Sequence, residues 1–178
     1  MKIVLIGNGA SLLNQNLGKI IDTQFDEVVR FNNFQIKGFE KDVGTKTTIW
    51  ARNTGYDLFT DHNFKLTPVQ HTRFPNQYTD FSVLTRPNHQ EINPKLHDEI
   101  CDICSITNLN TSTGIQTLAH FATLGEVTIC GFDCFSPPRK YFEPPIDLQM
   151  PHSSKESLYI KHLIKANRVE VLSSKMMI

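Results

Sequence analysis

Three observations on the 178-residue sequence predict an α/β fold, a single doubly wound domain with a mainly parallel sheet. Short apolar runs of strand character alternate with helical segments of roughly ten or more residues, the pattern of strand–helix–strand crossovers. The first apolar run feeds directly into a glycine turn. The length allows one sizeable core and is short for two.

Taken in order, Lys2–Ile6 (KIVLI) is continuously apolar after its first residue, as a strand covered on both faces must be. Gly7-Asn8-Gly9 ends it, and a helix is predicted through Leu12–Ile21. Glu27–Phe31 (EVVRF) and Thr47–Ala51 read as the second and third strands and Phe81–Thr85 as the fourth. The surrounding stretch Asn53–Arg86 is aromatic, polar and irregular. Glu91–Ile103 is helical, with Leu96, Ile100 and Ile103 as its apolar positions. Ile115–Leu124 is helical too, its apolar side formed by Ile115, Leu118, Ala119 and Ala122. Val127–Cys130 is a short strand, Ser153–Ala166 an amphipathic helix and Val169–Leu172 the last strand. No repeat, low-complexity tract or linker breaks the chain, so residues 1–178 read as one domain.

Composition narrows the function. Eighteen Lys and Arg balance 18 Asp and Glu, and a formal charge of zero argues against nucleic-acid or membrane-surface binding driven by electrostatics. No apolar run approaches the roughly 18 residues of a membrane span, and the five-residue run at the N-terminus is short for a signal core. The expectation is a soluble, cytoplasmic protein. Of the four cysteines, Cys101 and Cys104 fall on a helix and Cys130 ends a strand, so all four read as reduced and structural rather than as zinc ligands or disulfides.

Ligands of open parallel sheets bind beyond the carboxyl ends of the strands, and four polar clusters fall at such ends, which points to an enzyme. Gly7-Asn8-Gly9-Ala10-Ser11 would let the backbone approach an anion at a helix start, although Leu12 stands where a dinucleotide fingerprint needs its third glycine. Arg30-Phe31-Asn32-Asn33 offers amides that donate and accept at once. Asp42-Val43-Gly44-Thr45-Lys46-Thr47-Thr48 is a turn with lysine and hydroxyls but lacks the P-loop spacing. Asn110-Thr111-Ser112-Thr113-Gly114 opens a helix, where Ser112 or Thr113 would cap and neighbouring amides would hold an anion. Near the C-terminus, Ser153 to Glu156 fits a capping box, which leaves His152 just outside a helix start. The positive helix end favours the neutral imidazole that a general base requires, which singles His152 out from the seven histidines. The sequence holds no Asp-x-Asp, H-E-x-x-H or G-x-S-x-G, so metal-dependent hydrolysis and serine-nucleophile chemistry are disfavoured.

In this order the clusters resemble the sialyltransferases of glycosyltransferase family 29. VLIGNGASLL with VVRFNNFQIKGFEKDVGTKTTIW resembles the family's long motif, and Thr111–Phe132 its short motif. Lys140-Tyr141-Phe142-Glu143 and His152 with Glu156 fall where its two small motifs stand; the His-Ser stretch is also similar to bacterial family 42 enzymes. The resemblance implies a Rossmann-like, GT-A-variant fold and a metal-independent, inverting transfer of sialic acid, or a related keto-sugar acid, from a CMP-sugar donor to a glycan acceptor. It implies no cofactor. Asn8 and Asn32, flanked by Gly7 and Gly9, would contact CMP; Ser112, Thr113 and Gly114 would hold the donor's carboxylate or phosphate; Gly131 would line the nucleotide pocket. His152 would deprotonate the acceptor hydroxyl. Lys140 stands where the family has His, which leaves the leaving-group role to Lys140 or Tyr141, and Glu156 follows His152 by four residues rather than five. Ile3 and Leu124 occupy the positions of two bridging cysteines of the animal enzymes, consistent with a reducing compartment and a bacterial or viral type of protein. The alternative is a non-catalytic nucleotide- or sugar-binding protein on the same scaffold.

Overall fold

The structure, a computed structural model, describes residues 1–32, 34–52, 82–85, 94–106, 111–136, 140–142 and 154–172. Its strands are β1 (Ile3–Ile6), β2 (Glu27–Phe31), β3 (Ile49–Arg52), β4 (Ser82–Thr85), β5 (Val127–Cys130) and β6 (Val169–Val171). All their pairings are parallel, in the order β4-β3-β2-β1-β5-β6. Ile6 lies opposite Arg30 of β2 and Cys130 of β5, so three strand ends finish level with one another. From β1 the sheet grows outward through β2, β3 and β4, then returns to the other side of β1 with β5. The reversal creates a switch point between β1 and β5, and open α/β sheets bind their ligands in the crevice at the carboxyl edge of such a point.

Period-two alternation splits β1 between two cores. Ile3 and Leu5 face a layer made by α3 (Pro94–Cys104), α4 (Thr113–Leu124) and α5 (Glu156–Lys165). Val4 and Ile6 face α1 (Gly18–Gln24), α2 (Glu40–Val43), Phe34 and Ile36 after β2, and Tyr141 after β5. Every residue of β1 is buried, as a central strand covered on both faces requires. Among the described residues, no helix is long and apolar enough to cross a membrane.

The predicted helix through Leu12–Ile21 is a correction. A single 3₁₀ turn, Ala10–Leu12, is followed by a break, and α1 starts only at Gly18. Asn14 and Asn16 adopt positive φ, and the Asp42 carboxylate accepts their backbone amides at 3.0 and 2.9 Å. A tertiary carboxylate therefore fixes the break, and sequence periodicity carries no trace of it. Gly18 sits where α1 crosses α2, and a Cβ there would overlap the carbonyl oxygen of Glu40.

Candidate functional site

Each helix that leads into a strand starts at the opposite edge of the sheet from that strand's start. The N-termini of α4, which leads into β5, and of α5, which leads into β6, therefore stand at the carboxyl edge, beside the loops that leave β1, β2 and β5. Three of the four polar clusters meet there.

The first loop is packed rather than open. Gly7 N donates to Cys130 O at 2.8 Å and Gly9 N to Gly131 O at 2.9 Å, which ties the loop after β1 to the loop after β5. A Cβ on Gly7 would overlap Gly131 O, and one on Gly9 would strike the Asp133 carboxylate. Gly131 itself has φ 68° and leaves no room beside Leu12, whose Cδ1 would lie 2.7 Å from an added Cβ. The glycines are thus explained by this close crossing. The anion at the start of the 3₁₀ turn is Asp133, which accepts Ser11 N at 2.8 Å and the Ser11 hydroxyl. In this turn the amides of Gly7, Gly9, Ser11, Leu12 and Leu13 all donate within the protein.

Asn8 remains. Its Nδ2 donates to Phe31 O at 3.2 Å, and its Oδ1 is buried with no partner among the described residues. A buried acceptor without a donor costs on the order of 1–3 kcal/mol. Asn32 sits at φ 47° at the end of β2, its amide donating to Ala51 O at 2.9 Å and its carbonyl accepting Trp50 Nε1 at 2.8 Å. Asn33 lies outside the described residues.

Arg30 points away from this edge. Its buried guanidinium donates to Val43 O at 2.6 Å, Lys46 O at 3.0 Å and Thr47 Oγ1 at 2.9 Å, and lies over the Phe34 ring. The third cluster is fixed in the same network. Asp22 accepts Thr45 N, Thr45 Oγ1 and Lys46 N at 2.8–2.9 Å, Lys46 Nζ donates to Phe25 O at 2.6 Å, and Thr48 Oγ1 accepts Val28 N at 2.8 Å. Leading into β3, Gly44–Thr48 lies at the amino edge, and its residues hold the scaffold. Its expected place at a carboxyl strand end is corrected, because it precedes β3 instead of following a strand.

At α4, Ser112 is the N-cap and accepts Ile115 N at 3.2 Å. Its own donors go to one partner: the amide to Glu156 Oε1 at 2.7 Å and the hydroxyl to Glu156 Oε2 at 2.6 Å. Glu156 is only 3% exposed, and it bridges the starts of α4 and α5, the latter capped at Lys155; the Ser153 half of the predicted capping box lies outside the described residues. Both donors of Ser112 are thus engaged within the protein. The amides of Thr113 and Gly114, in the first turn of a 12-residue helix, have no partner among the described residues. They form the anion-seeking end of the site.

Tyr141 closes the β1 loop from above: its amide donates to Asn8 O at 3.0 Å, and its buried hydroxyl donates to Gln35 O while accepting Gln35 N at 3.2 Å. That hydroxyl is a clamp between two loops. Lys140, its neighbour, holds its ammonium 5.5 Å from the Phe142 ring. His152 and Ser153 lie outside the described residues. All four cysteines are free, and burial pushes the thiols of Cys130 and Cys134 up to about 12. Asp133 and Glu156 are the site residues that sequence reasoning missed or assigned a local task; their partners lie 122 and 44 residues away, out of reach of any motif. A cavity of about 470 Å³ at the amino edge, lined by Lys2, Gln24, Phe25, Glu126 and Glu170 among others, is remote from all of these groups.

The family model of glycosyltransferase family 29 (sialyltransferase) matches residues 2–94, more than half of the 178. Over 48 residues, 27% of this chain and 12% of the relative, the sequence is 52% identical to the CMP-N-acetylneuraminate-beta-1,4-galactoside alpha-2,3-sialyltransferase of Homo sapiens. It is 48% identical over 48 residues to the CMP-N-acetylneuraminate-beta-galactosamide-alpha-2,3-sialyltransferase 4 of Rattus norvegicus, 14% of that protein. The matches thus span a small fraction of these relatives. Among solved structures, a mammalian sialyltransferase in complex with Gal-beta-1-3GalNAc-ortho-nitrophenol aligns over 97% of this chain and 69% of its own, with a TM-score of 0.61 and 20% identity. An apo alpha-2,3-sialyltransferase from Campylobacter jejuni aligns over 99% and 77%, with a TM-score of 0.52 and 18% identity. Both share the fold.

Proposed function

The chain belongs to glycosyltransferase family 29 (sialyltransferase), and from that premise we propose that it transfers sialic acid, or a related keto-sugar acid, from a CMP-activated donor to a glycan hydroxyl. The observation that carries the proposal is the convergence at one crevice of two chemically opposite ends. The amides of Thr113 and Gly114 seek an anion, and the buried Oδ1 of Asn8 seeks a donor. A nucleoside monophosphate has both kinds of group, the anionic phosphate and the hydroxyl- and amine-bearing nucleoside. As the glycosidic bond to phosphate breaks, charge grows on the leaving CMP, and the α4 terminus is aligned beforehand to receive it.

In this reading Asn8 and Asn32 hold CMP, Gly7, Gly9 and Gly131 allow the two loops to approach closely enough to shape the pocket, and Glu156 and Tyr141 fix the walls. Ser112 acts through Glu156 as part of the wall. Lys140, next to the segment bonded to Asn8, or Tyr141 takes the leaving-group role. His152 is the general base that takes the acceptor proton as that oxygen attacks the anomeric carbon. The sequence has no Asp-x-Asp clamp, so the reaction is proposed to run without a metal, and the four free cysteines support a reducing, cytoplasmic setting.

The test is acceptor-dependent release of CMP from CMP-sialic acid across a panel of galactosides. Wild type should turn over, and His152→Ala should be slower by roughly 10²–10⁴-fold, the usual worth of a general base. Equal rates would remove His152 from the mechanism. CMP binding with no turnover on any acceptor would instead identify a nucleotide-binding protein.

A further inference from the structure

We propose that Asp133 recognises the ribose of the bound nucleotide, accepting hydrogen bonds from its vicinal hydroxyls, and thereby makes the site select ribonucleotides over 2′-deoxyribonucleotides. The inference rests on the nucleotide-donor reading above and adds to it a residue and a selectivity.

Asp133 lies two residues beyond Gly131, in the loop leaving β5 at the switch-point crevice. Its carboxylate stands directly against the α-carbon of Gly9, where even a methyl group would collide with it. Ser11 holds it in place with one hydrogen bond to each oxygen, the amide to Oδ2 at 2.8 Å and the hydroxyl to Oδ1. A carboxylate offers about four acceptor sites, so roughly one on each oxygen remains after Ser11 is counted. The side chain is half-buried, which leaves those sites within reach of a ligand in the crevice.

The surrounding polarity decides which part of a nucleotide comes here. On this side of the crevice the Asp133 carboxylate, set against Gly9, is an acceptor. A phosphate, itself an acceptor and negatively charged, is repelled by it, whereas hydroxyl donors satisfy it. The phosphate is drawn instead to the α4 terminus, where Thr113 and Gly114 present donors. A carboxylate fixed at a strand end is also a proven chemical solution for binding ribose hydroxyls in open α/β sheets.

The experiment is equilibrium binding of CMP and of 2′-deoxy-CMP to the full chain, measured by calorimetry on wild type, Asp133→Ala and Asp133→Asn. Both ligands are titrated into the same preparation, so the ratio of affinities is independent of the fraction of protein that is folded. Wild type should prefer CMP by roughly tenfold or more, the worth of a hydrogen bond to a charged group. In Asp133→Ala the ratio should fall towards one, chiefly through weaker CMP binding. Asp133→Asn, which keeps an acceptor for Ser11, provides the answer if the alanine variant does not fold, and its ratio should fall in the same direction. A wild-type ratio near one, or a preference that survives in the variants, overturns the assignment while leaving CMP binding intact. Failure of the wild type to bind CMP at all would instead bring down the nucleotide-donor reading, and this assignment with it.

Discussion

Ser112 illustrates how a residue's task is set by a partner that its neighbours in sequence do not disclose. As an N-cap it was legible, since a serine before an apolar helical run satisfies an orphan amide. That its amide and hydroxyl both end on Glu156 was not, because 44 residues separate the two. Local pattern assigned Glu156 to a capping box; burial to 3% exposure and two bonds to Ser112 assign it to the wall of the crevice. Replacing Glu156 by Ala strands two donors of the half-buried Ser112, and an orphaned donor costs on the order of 1–3 kcal/mol when fully buried and less when half-buried. Urea unfolding of Glu156→Ala should therefore show a loss of about 2–4 kcal/mol, with Glu156→Gln losing less because it keeps one acceptor. A midpoint unchanged in both would mean that the bridge contributes nothing to the fold.

At the scale of elements, strands were read more faithfully than helices. Glu27–Phe31 and Val127–Cys130 carry their boundaries in apolar character, because a strand buried on both faces must be apolar throughout. The helix through Leu12–Ile21 failed because its interruption is made by Asp42, from another element. Asp42 also lends itself to a pH measurement. Partial burial pushes its carboxyl pKa up, but the amides of Asn16 and Asn14 outweigh this, and the net effect is to hold it below the ordinary carboxylate value. A carboxyl lowered in the folded state contributes stability that is present above its unfolded value and is lost as pH falls through the folded one. Unfolding free energy of the wild type should thus decline through the acidic range below about pH 4, and Asp42→Asn should decline less steeply there while being less stable at neutral pH. Parallel declines in the two proteins would assign the acid sensitivity elsewhere.

For the molecule as a whole, the sheet order explains why the candidate site is where it is. Reversal between β1 and β5 opens a crevice at the carboxyl edge, and the two glycine-bearing loops, the end of β2 and the starts of α4 and α5 all reach it. The clusters after β1, after β2 and before α4 were legible as site material because each ends or begins an element at that edge. The cluster before β3 was misjudged because composition alone does not say which edge a loop occupies; its hydroxyls and lysine serve Asp22, Arg30 and Phe25 instead. The amino-edge cavity of about 470 Å³ provides the competing location for a ligand. Amide chemical-shift mapping during a titration with CMP separates the two places directly. The account predicts that the signals of Asn8, Asn32, Gly131, Asp133, Thr113 and Gly114 move together and saturate. Movement confined to Lys2, Glu126, Glu170 and their neighbours, with the carboxyl edge unchanged, would contradict it.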